Sequence, residues 1–350
     1  MEAKVDVMTT SESASCLNKD VIDDACLKSA VETGASPKLA VVNVEGRCNS
    51  RCCYCPAWRF PNSSNVNGED WEEIFDQLWD LGVRELILSG GEPLLRKDIT
   101  ELVGYAADSG FTVSLLTNGI VVTSKLAASL AEAGLDYLNL SLDSLEDSTY
   151  RKLRGVPLSR IRPALEAMHL LSKQRVPMQL AFTCVVTMLN VCEIPSLIEE
   201  ANAHGIAFML QPYHYLAHLR IPQLLPAIST VGQLADVMKE VVAMRAAGSD
   251  IWNSDHYLSS IAPFMLDREG FGEDPCLAGY QGVNIDVNLD VKPCWYLPPT
   301  GNLREAPLKH IWNSVEFHIA RQRMRRLDCP RCMLLCHAQE PAGANDEKQS

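Results

Sequence analysis

The sequence predicts an α/β protein built on a partial (βα)6 barrel, followed by a small cysteine-rich C-terminal domain. Between residues 38 and 215, six short apolar and β-branched runs alternate with segments of helical periodicity, the pattern of repeated βα units on a parallel sheet. Beyond residue 276 this pattern gives way to a hairpin-like alternating stretch and five cysteines. Six units are too few to close an eight-stranded barrel, so a substrate or another domain must cover the open side.

The predicted strands cover residues 38–44, 85–88, 111–116, 137–142, 178–186 and 206–212. Amphipathic helices are predicted from residues 69, 98 and 124, over 150–154 and 161–171, and from 194. Three of them are expected to end at Gly82, Gly110 and Gly205, because glycine readily takes the left-handed conformation that follows a helix. Functional residues are expected on the loops at the carboxyl ends of the strands.

Five segments are predicted along the chain: a polar leader (residues 1–37), the barrel (38–215), a helical bridge (216–275), the cysteine-rich domain (276–337) and a polar tail (338–350). The bridge has predicted helices over residues 231–247 and 254–266 but no recognisable motif. The cysteine-rich domain has a predicted hairpin over residues 283–291 and one helix through 308–315. The barrel and the cysteine-rich domain are therefore expected to carry the chemistry.

The composition excludes several classes of partner. The formal net charge of −13 over 350 residues argues against nucleic acid and against an anionic membrane surface, because both need clustered Lys and Arg. No apolar run approaches the roughly 20 residues that span a bilayer. The N-terminus lacks the basic start and apolar core of a signal peptide. We therefore expect a cytoplasmic protein.

Thirteen cysteines, an odd number with short spacings and no signal peptide, indicate metal ligation rather than a disulfide framework. Cys48, Cys52 and Cys55 lie on the loop after the first predicted strand, where three thiolates can hold three irons of a 4Fe-4S cluster and leave the fourth iron open. Five other cysteines are expected to be ordinary small apolar side chains: Cys16, Cys26, Cys53, Cys184 and Cys192.

The motif Cys48-x-x-x-Cys52-x-Tyr54-Cys55, the run from Gly90 to Pro93 after the second strand, and the six βα units together resemble the radical S-adenosylmethionine (SAM) superfamily, with its partial TIM-like barrel. The resemblance implies that SAM binds the open iron through its amino and carboxylate groups. An electron from a flavodoxin or ferredoxin type donor would then release a 5'-deoxyadenosyl radical, which removes a hydrogen atom from the substrate.

The same resemblance assigns cofactor contacts to the Gly90-Gly91-Glu92-Pro93 turn. Glu92 would accept hydrogen bonds from the SAM ammonium, and the two glycines would let the backbone approach closely. Tyr54 would lie against the adenine. Alone, this turn would be read as an ordinary strand-to-helix connection, so the assignment depends on the cysteine motif.

Further contacts follow from the later strands. Ser141 and Asp143, at the end of the fourth strand, would contact the SAM ribose or carboxylate, although Asp143 could equally cap a helix. Arg151 and Arg154 could reach a carboxylate or a substrate oxygen, or could simply be exposed helical arginines. Asn118, after the third strand, is a turn residue first and a cofactor contact second.

The C-terminal cysteines resemble the Twitch domain, the shortened form of the SPASM domain. The residues that carry the likeness are Cys276-x-x-Gly279, Cys294 and Cys329-x-x-Cys332. By this resemblance the four cysteines hold one auxiliary 4Fe-4S cluster, which gives two clusters in the chain. Five cysteines are too few for the two auxiliary clusters of a full SPASM domain.

Two features depart from the simple Twitch pattern. Relatives often have Gly at the hairpin turn where this chain has Leu289, so Asn288 is expected to supply the left-handed turn. Cys336 is surplus: it could replace a cluster ligand, act as a catalytic hydrogen-atom donor, or be a buried bystander. A zinc site made from Cys336, His337 and the two preceding cysteines is the competing metal site.

The favoured function is dehydrogenation of a small polar substrate, such as a sugar, aminocyclitol or nucleoside of natural-product biosynthesis, with the auxiliary cluster accepting the second electron. Epimerisation, decarboxylation and modification of a ribosomal peptide stay open. Only about 37 residues precede the first strand, which is short for the leader-binding domain that peptide modifiers often carry. A non-catalytic iron-sulfur redox protein is the alternative from another class.

Overall fold

The computed structural model describes residues 36–59, 66–174, 176–214, 220–268, 271 and 276–334. All of these belong to one compact unit. The predicted leader and tail lie almost wholly outside the described residues, as do Cys16, Cys26, Cys336 and His337. None of the described helices is long and apolar enough to cross a membrane.

The α/β prediction is confirmed, because the six predicted strands form a parallel sheet. They are β1 (Leu39–Glu45), β2 (Glu85–Gly90), β3 (Thr112–Thr117), β4 (Tyr137–Ser141), β5 (Gln179–Val186) and β6 (Ala207–Pro212). Each strand pairs in parallel with the next one along the chain. The carboxyl ends of all six therefore lie at the same end of the barrel.

The helices between the strands form where the periodicity predicts them. They are α1 (Gly68–Leu81), α2 (Ile99–Asp108), α3 (Ser124–Glu132), α4 (Asp147–Arg154), α5 (Arg162–Gln174) and α6 (Ile194–Ala203). In α1 the side chain of Asn67 accepts from the Asp70 amide at 2.8 Å, and Asp70 accepts from the Asn67 amide in return. Such a reciprocal cap satisfies amides that a helix start leaves free. Gly82 ends α1 with φ 109°.

The C-terminal region is joined to the barrel through its sheet. Strand β7 (Gly282–Ile285) pairs in parallel with β1, and β8 (Asp290–Lys292) and β9 (Gly301–Asn302) follow in antiparallel pairing. Among the described residues the strand order is β6-β5-β4-β3-β2-β1-β7-β8-β9. The hairpin prediction is confirmed, whereas the parallel junction with β1 and the short β9 were not foreseen.

The single helix predicted through residues 308–315 is wrong. Two helices, α10 (Leu308–Trp312) and α11 (Val315–Arg325), follow the short helix α9 (Ala278–Gln281) in this region. The break occurs because the Ser314 hydroxyl accepts from the Phe317 amide at 3.2 Å, which makes Ser314 the N-cap of a new helix.

The predicted bridge helices are α7 (Val231–Ala246) and α8 (Asp255–Leu266). The loop between them runs under the amino-terminal end of the barrel, where the Trp252 amide donates to the Phe208 carbonyl at 3.1 Å. The Trp252 ring meets the Tyr137 ring edge-on, with 5.7 Å between centroids. The bridge, which has no recognisable motif, thus supplies the floor of the barrel.

The left-handed residue of the β7–β8 hairpin is Leu289 itself, at φ 69°, so the expectation for Asn288 is wrong. The Asn288 amide instead donates to the Asp286 carboxylate at 2.9 Å, and the Leu289 amide donates to the Asp286 carbonyl. Leu289 is only 8% exposed and packs in the main hydrophobic core. Burial of its side chain therefore offsets a conformation that costs a non-glycine residue about 1–2 kcal/mol.

This balance predicts that the Leu289→Gly variant is more stable than the Leu289→Ala variant, the reverse of the usual order for glycine and alanine. Leu289→Ala loses the buried side chain, a cost of about 2–5 kcal/mol, and keeps the backbone strain. Leu289→Gly loses the same contacts but relieves the strain, so its thermal unfolding midpoint should be higher than that of Leu289→Ala. An alanine variant as stable as the glycine variant, or more so, would contradict the account.

Candidate active site

The cysteine loop after β1 is anchored on one side by the C-terminus of α4. A helix end leaves its last carbonyls without intrahelical partners. Here the Arg51 amide donates to the Arg154 carbonyl at 3.1 Å and the Cys53 amide to the Leu153 carbonyl at 2.9 Å. The Ser50 hydroxyl also donates to the Arg154 carbonyl, at 2.9 Å. The loop therefore caps the helix while the helix fixes the loop.

On its other side the loop lies directly on the glycine turn after β2. The Gly91 amide donates to the Glu45 carbonyl at 2.7 Å, and the Glu92 amide donates to the Arg47 carbonyl at 2.9 Å. A Cβ atom on Gly91 would lie 2.3 Å from the Arg47 carbonyl oxygen, and one on Gly90 2.1 Å from that of Glu45. These two glycines therefore let the cysteine loop pack closely against the glycine turn.

The three cysteines of the motif lie on this loop, with Cys52 buried and Cys48 and Cys55 half-buried. The Asn118 amide group donates to Cys48 Sγ at 3.6 Å, and Arg154 Nη1 donates to Cys52 Sγ at 3.7 Å. Burial raises the pKa of Cys48 to about 11 and also raises that of Cys55. Thiols in such a site ionise when a metal binds them, so the donor set fits an iron-sulfur cluster.

Glu92 is completely buried and ties the glycine turn to the end of β3. Its Oε1 accepts from Thr117 Oγ1 at 2.7 Å and from the Leu94 amide at 3.1 Å, while Oε2 accepts from the Asn118 amide at 2.7 Å. Burial raises its pKa to about 7. These contacts leave one acceptor direction on Oε2. Pro93 is buried and starts the short helical turn that follows.

Asp143 lies at the centre of a buried polar network. Its Oδ2 accepts from the Tyr54 hydroxyl and forms an ion pair with Arg154, whose Nε lies 2.6 Å away. Its Oδ1 accepts from Arg154 Nη2 at 3.2 Å and from the Val185 amide at 2.8 Å. Three protein donors and one ion pair thus occupy the carboxylate. Asp143 does not cap α4, whose N-cap is Glu146.

Arg154 is 6% exposed, so the interpretation of Arg154 as an exposed helical arginine is wrong. It joins Asp143 to Cys52, whereas Arg151 forms an exposed pair with Asp147. Asn118 is a turn residue, because its Oδ1 accepts from the Ile120 amide, and its Nδ2 donates to Cys48 Sγ. Its contact with the cofactor stays a prediction.

A cavity of about 560 Å³ occupies the interior of the barrel. At the amino-terminal end its walls are Tyr137, Trp252 and the carboxylate residue Glu85, which begins β2. The rest of the lining is mostly apolar, with uncharged polar side chains among it: Asn43, Ser89, Ser114, Asn139, Thr183 and Gln211. No Lys or Arg lines it within the described ranges. Ser141 falls on the same side of β4 as Asn139, because side chains alternate along a strand.

Cys276, Cys294 and Cys329 pack in a small apolar cluster of the C-terminal region, and Cys332 lies near enough for their charges to raise its pKa. Burial, and then repulsion from the neighbouring cysteines, raises the pKa of Cys294 to about 11 and that of Cys332 to about 12. One buried and three half-buried thiols in one region fit a fully ligated metal-sulfur group. The zinc alternative needs Cys336 and so falls outside the described residues.

Residues near both cysteine sites line the same cavity. Trp295, next to Cys294, and Leu334, two residues after Cys332, are among its lining residues. Asn43 and Ser89 line it at the ends of β1 and β2, from which the cysteine loop and the glycine turn continue. The cavity therefore extends towards both sites.

Several residues of the site have no sequence signal. Ser50, Thr117 and Thr183 are common polar types whose roles depend on partners far along the chain. Trp295 could have been singled out only from its position beside a predicted ligand. Of the other cysteines, Cys53 and Cys184 pack with the main core as expected, whereas Cys192 is exposed.

The close contact at Gly91 predicts that one added methyl group there disturbs the cysteine loop. Gly91→Ala should displace the cysteine loop, so the protein should retain less iron and unfold at a lower temperature. Gly104→Ala is the matched control: its Cβ would meet nothing closer than 3.9 Å. In helix α2 that change should be neutral or stabilise by up to about 1 kcal/mol. Equal iron content in both variants would contradict the contact.

Comparison with known protein families agrees with this arrangement. The model of the radical SAM superfamily matches residues 42–201, and that of an iron-sulfur cluster-binding domain, SPASM, matches residues 276–336. The chain is 28% identical over 308 residues to an AdoMet-dependent heme synthase of Methanosarcina barkeri, covering 80% of this chain and 83% of that protein. It is 27% identical over 289 residues to a PqqA peptide cyclase of Gluconobacter oxydans, covering 79% and 76%.

A probable GTP 3',8-cyclase of Methanopyrus kandleri is 37% identical over 183 residues, 51% of this chain and 57% of that protein. Among solved structures, Streptococcus suis SuiB bound to S-adenosylmethionine matches with a TM-score of 0.67 and 19% identity, over 83% of this chain and 70% of SuiB. This likeness shows the fold. With both domain models matched and both cysteine sites assembled, the chain belongs to the radical SAM superfamily and to its SPASM/Twitch subclass, whose cofactors are SAM and iron-sulfur clusters.

Proposed function

We propose that this radical SAM enzyme is an oxidoreductase that dehydrogenates a small polar molecule held in the barrel cavity. A sugar, an aminocyclitol or a nucleoside without phosphate groups suits the site. The observation that carries the proposal is the shared cavity, since residues beside the auxiliary cysteines and residues at the ends of β1 and β2 both line it. A substrate there lies within reach of both cysteine sites.

The cofactors supply the difficult chemistry: hydrogen-atom abstraction from the substrate at one site and acceptance of one electron at the other. Loss of a hydrogen atom, then of one electron and one proton, converts an alcohol carbon to a ketone. The chain holds the substrate and keeps water out. A flavodoxin or ferredoxin type protein would provide the reducing electron.

Each cysteine group has a proposed role. Cys48, Cys52 and Cys55 would hold the SAM-binding cluster, and the four C-terminal cysteines the auxiliary one. Glu92 would accept from the SAM ammonium through the remaining direction on Oε2. Ser141, which ends β4 on the cavity side, would contact the ribose. Asp143, whose oxygens already face protein donors, would act on SAM through Tyr54.

The charge of the cavity bears on the substrate class. GTP carries a triphosphate and heme carries carboxylates, and proteins bind such groups with Arg and Lys. The described lining residues include neither type, and Glu85 is the one carboxylate residue among them. The cavity therefore favours neutral or amino-bearing molecules over the anionic molecules in the names of two relatives.

Modification of a peptide side chain is the second candidate, favoured by the similarity to a PqqA peptide cyclase along 79% of this chain. A cavity whose described lining residues include no Lys or Arg also suits an uncharged peptide side chain. Epimerisation would return a hydrogen atom to the substrate radical, and Cys336 would be its donor. Decarboxylation of the substrate radical to an alkene would release CO2 and one electron, so it would need the auxiliary cluster as acceptor, as dehydrogenation does.

The enzyme assay is anaerobic incubation of the dithionite-reduced protein with SAM. We expect 5'-deoxyadenosine and about eight irons per chain, four for each cluster. Replacing Cys48, Cys52 and Cys55 with Ala should abolish 5'-deoxyadenosine formation and leave about four irons. Cys192→Ala, at an exposed cysteine, should change neither. Absence of 5'-deoxyadenosine from the fully loaded protein would contradict the proposal.

The substrate class is tested in the same assay. Sugars, aminocyclitols and nucleosides should raise 5'-deoxyadenosine formation and yield products two hydrogens lighter. Stimulation by peptides alone would support the second candidate. Stimulation by nucleoside triphosphates alone would contradict the proposal that the cavity favours neutral or amino-bearing molecules over anionic ones.

A further inference from the structure

The segment that carries Cys332 lies outside any helix or strand. Helix α11 ends at Arg325, and residues 331–334 have no regular secondary structure. Such a segment is not held by its own backbone ladder. Its position must come from bonds made by other parts of the chain.

Three side chains supply those bonds. The Met333 amide donates to His214 Nε2 at 2.8 Å, and the Tyr257 hydroxyl donates to the Met333 carbonyl at 2.6 Å. Arg268 Nε donates to the Arg331 carbonyl at 2.7 Å. The main chain on both sides of Cys332 is thus bound to side chains.

None of the three belongs to the C-terminal cysteine region. His214 follows β6, Tyr257 lies on α8, and Arg268 lies just beyond α8. Tyr257 and Arg268 are each 7% exposed. The His214 ring packs against Phe264, with 5.0 Å between centroids. The barrel and the bridge therefore hold this segment rigidly.

We infer that His214, Tyr257 and Arg268 are positioning residues that place Cys332 and Leu334 at the rim of the barrel cavity. The auxiliary cluster's distance and orientation to the substrate are then set by the barrel rather than by the C-terminal region alone. The inference rests on the proposed function, because it takes Cys332 as a ligand of that cluster. Side chains around metal ligands commonly set affinity and electronic properties of the metal group.

The test uses full-length protein with Cys48, Cys52 and Cys55 replaced by Ala, so that iron loads only the auxiliary site. Tyr257→Phe keeps the ring and removes the donor to Met333. His214→Leu removes the acceptor, and His214→Gln keeps a carbonyl oxygen in place of Nε2. Tyr105→Phe is the control, because the Tyr105 hydroxyl donates to Asp76 at an exposed site.

Tyr257→Phe and His214→Leu should release iron to a chelator roughly ten times faster than the parent and shift the reduction potential and EPR spectrum of the cluster. His214→Gln should restore the parent behaviour, and Tyr105→Phe should match the parent. If Tyr257→Phe and His214→Leu also match the parent, the inference is wrong. If Cys332→Ala retains all its iron, the ligand assignment of the proposed function fails instead.

Discussion

The structure depends on one constraint: a loop of main chain must lie between the end of a helix and a glycine turn without side chains in the way. The carbonyls at the end of α4 need donors, and the cysteine loop supplies them from Arg51 and Cys53. The carbonyls of Glu45 and Arg47 need donors too, and Gly91 and Glu92 supply those. Both sets of contacts are hydrogen bonds between main-chain groups. The barrel therefore determines where the cysteine loop lies, and with it where the thiols lie.

A buried charge pair reinforces this arrangement. Removing Asp143 and Arg154 from water is costly, and such pairs rarely add much net stability. Their value is specificity: the pair joins β4, α4, Tyr54 and the Cys52 thiol in one geometry. A misplaced loop would leave a buried charge without its partner, which costs more than a lost surface contact.

Local pattern was enough to predict the six strands, most of the helices and both groups of cysteines, because periodicity and ligand spacing are local properties. Local pattern could not predict the parallel pairing of β7 with β1, which joins residues far apart in the sequence. Leu289 was missed because the core that compensates its strained backbone is assembled from other elements.

The candidate site likewise has some features that local sequence predicts and others that it does not. The triplet Cys48, Cys52, Cys55 and the turn at Glu92 carry recognisable spacings. The burial of Arg154 and the position of Trp252 at the floor of the barrel depend on how α4 and the bridge pack against the barrel. The sequence of one helix or loop alone does not predict that packing.

Hydrogen exchange in the iron-free protein tests the central claim most directly, namely that the fold shapes the cysteine loop before any cluster binds. The amides of Arg51, Cys53, Gly91 and Glu92 donate to main-chain carbonyls in the structure. The account predicts that, followed by mass spectrometry, they exchange as slowly as the neighbouring strand β1. Exchange at the rate of an unstructured peptide, slowing only after iron and sulfide are added, would contradict it.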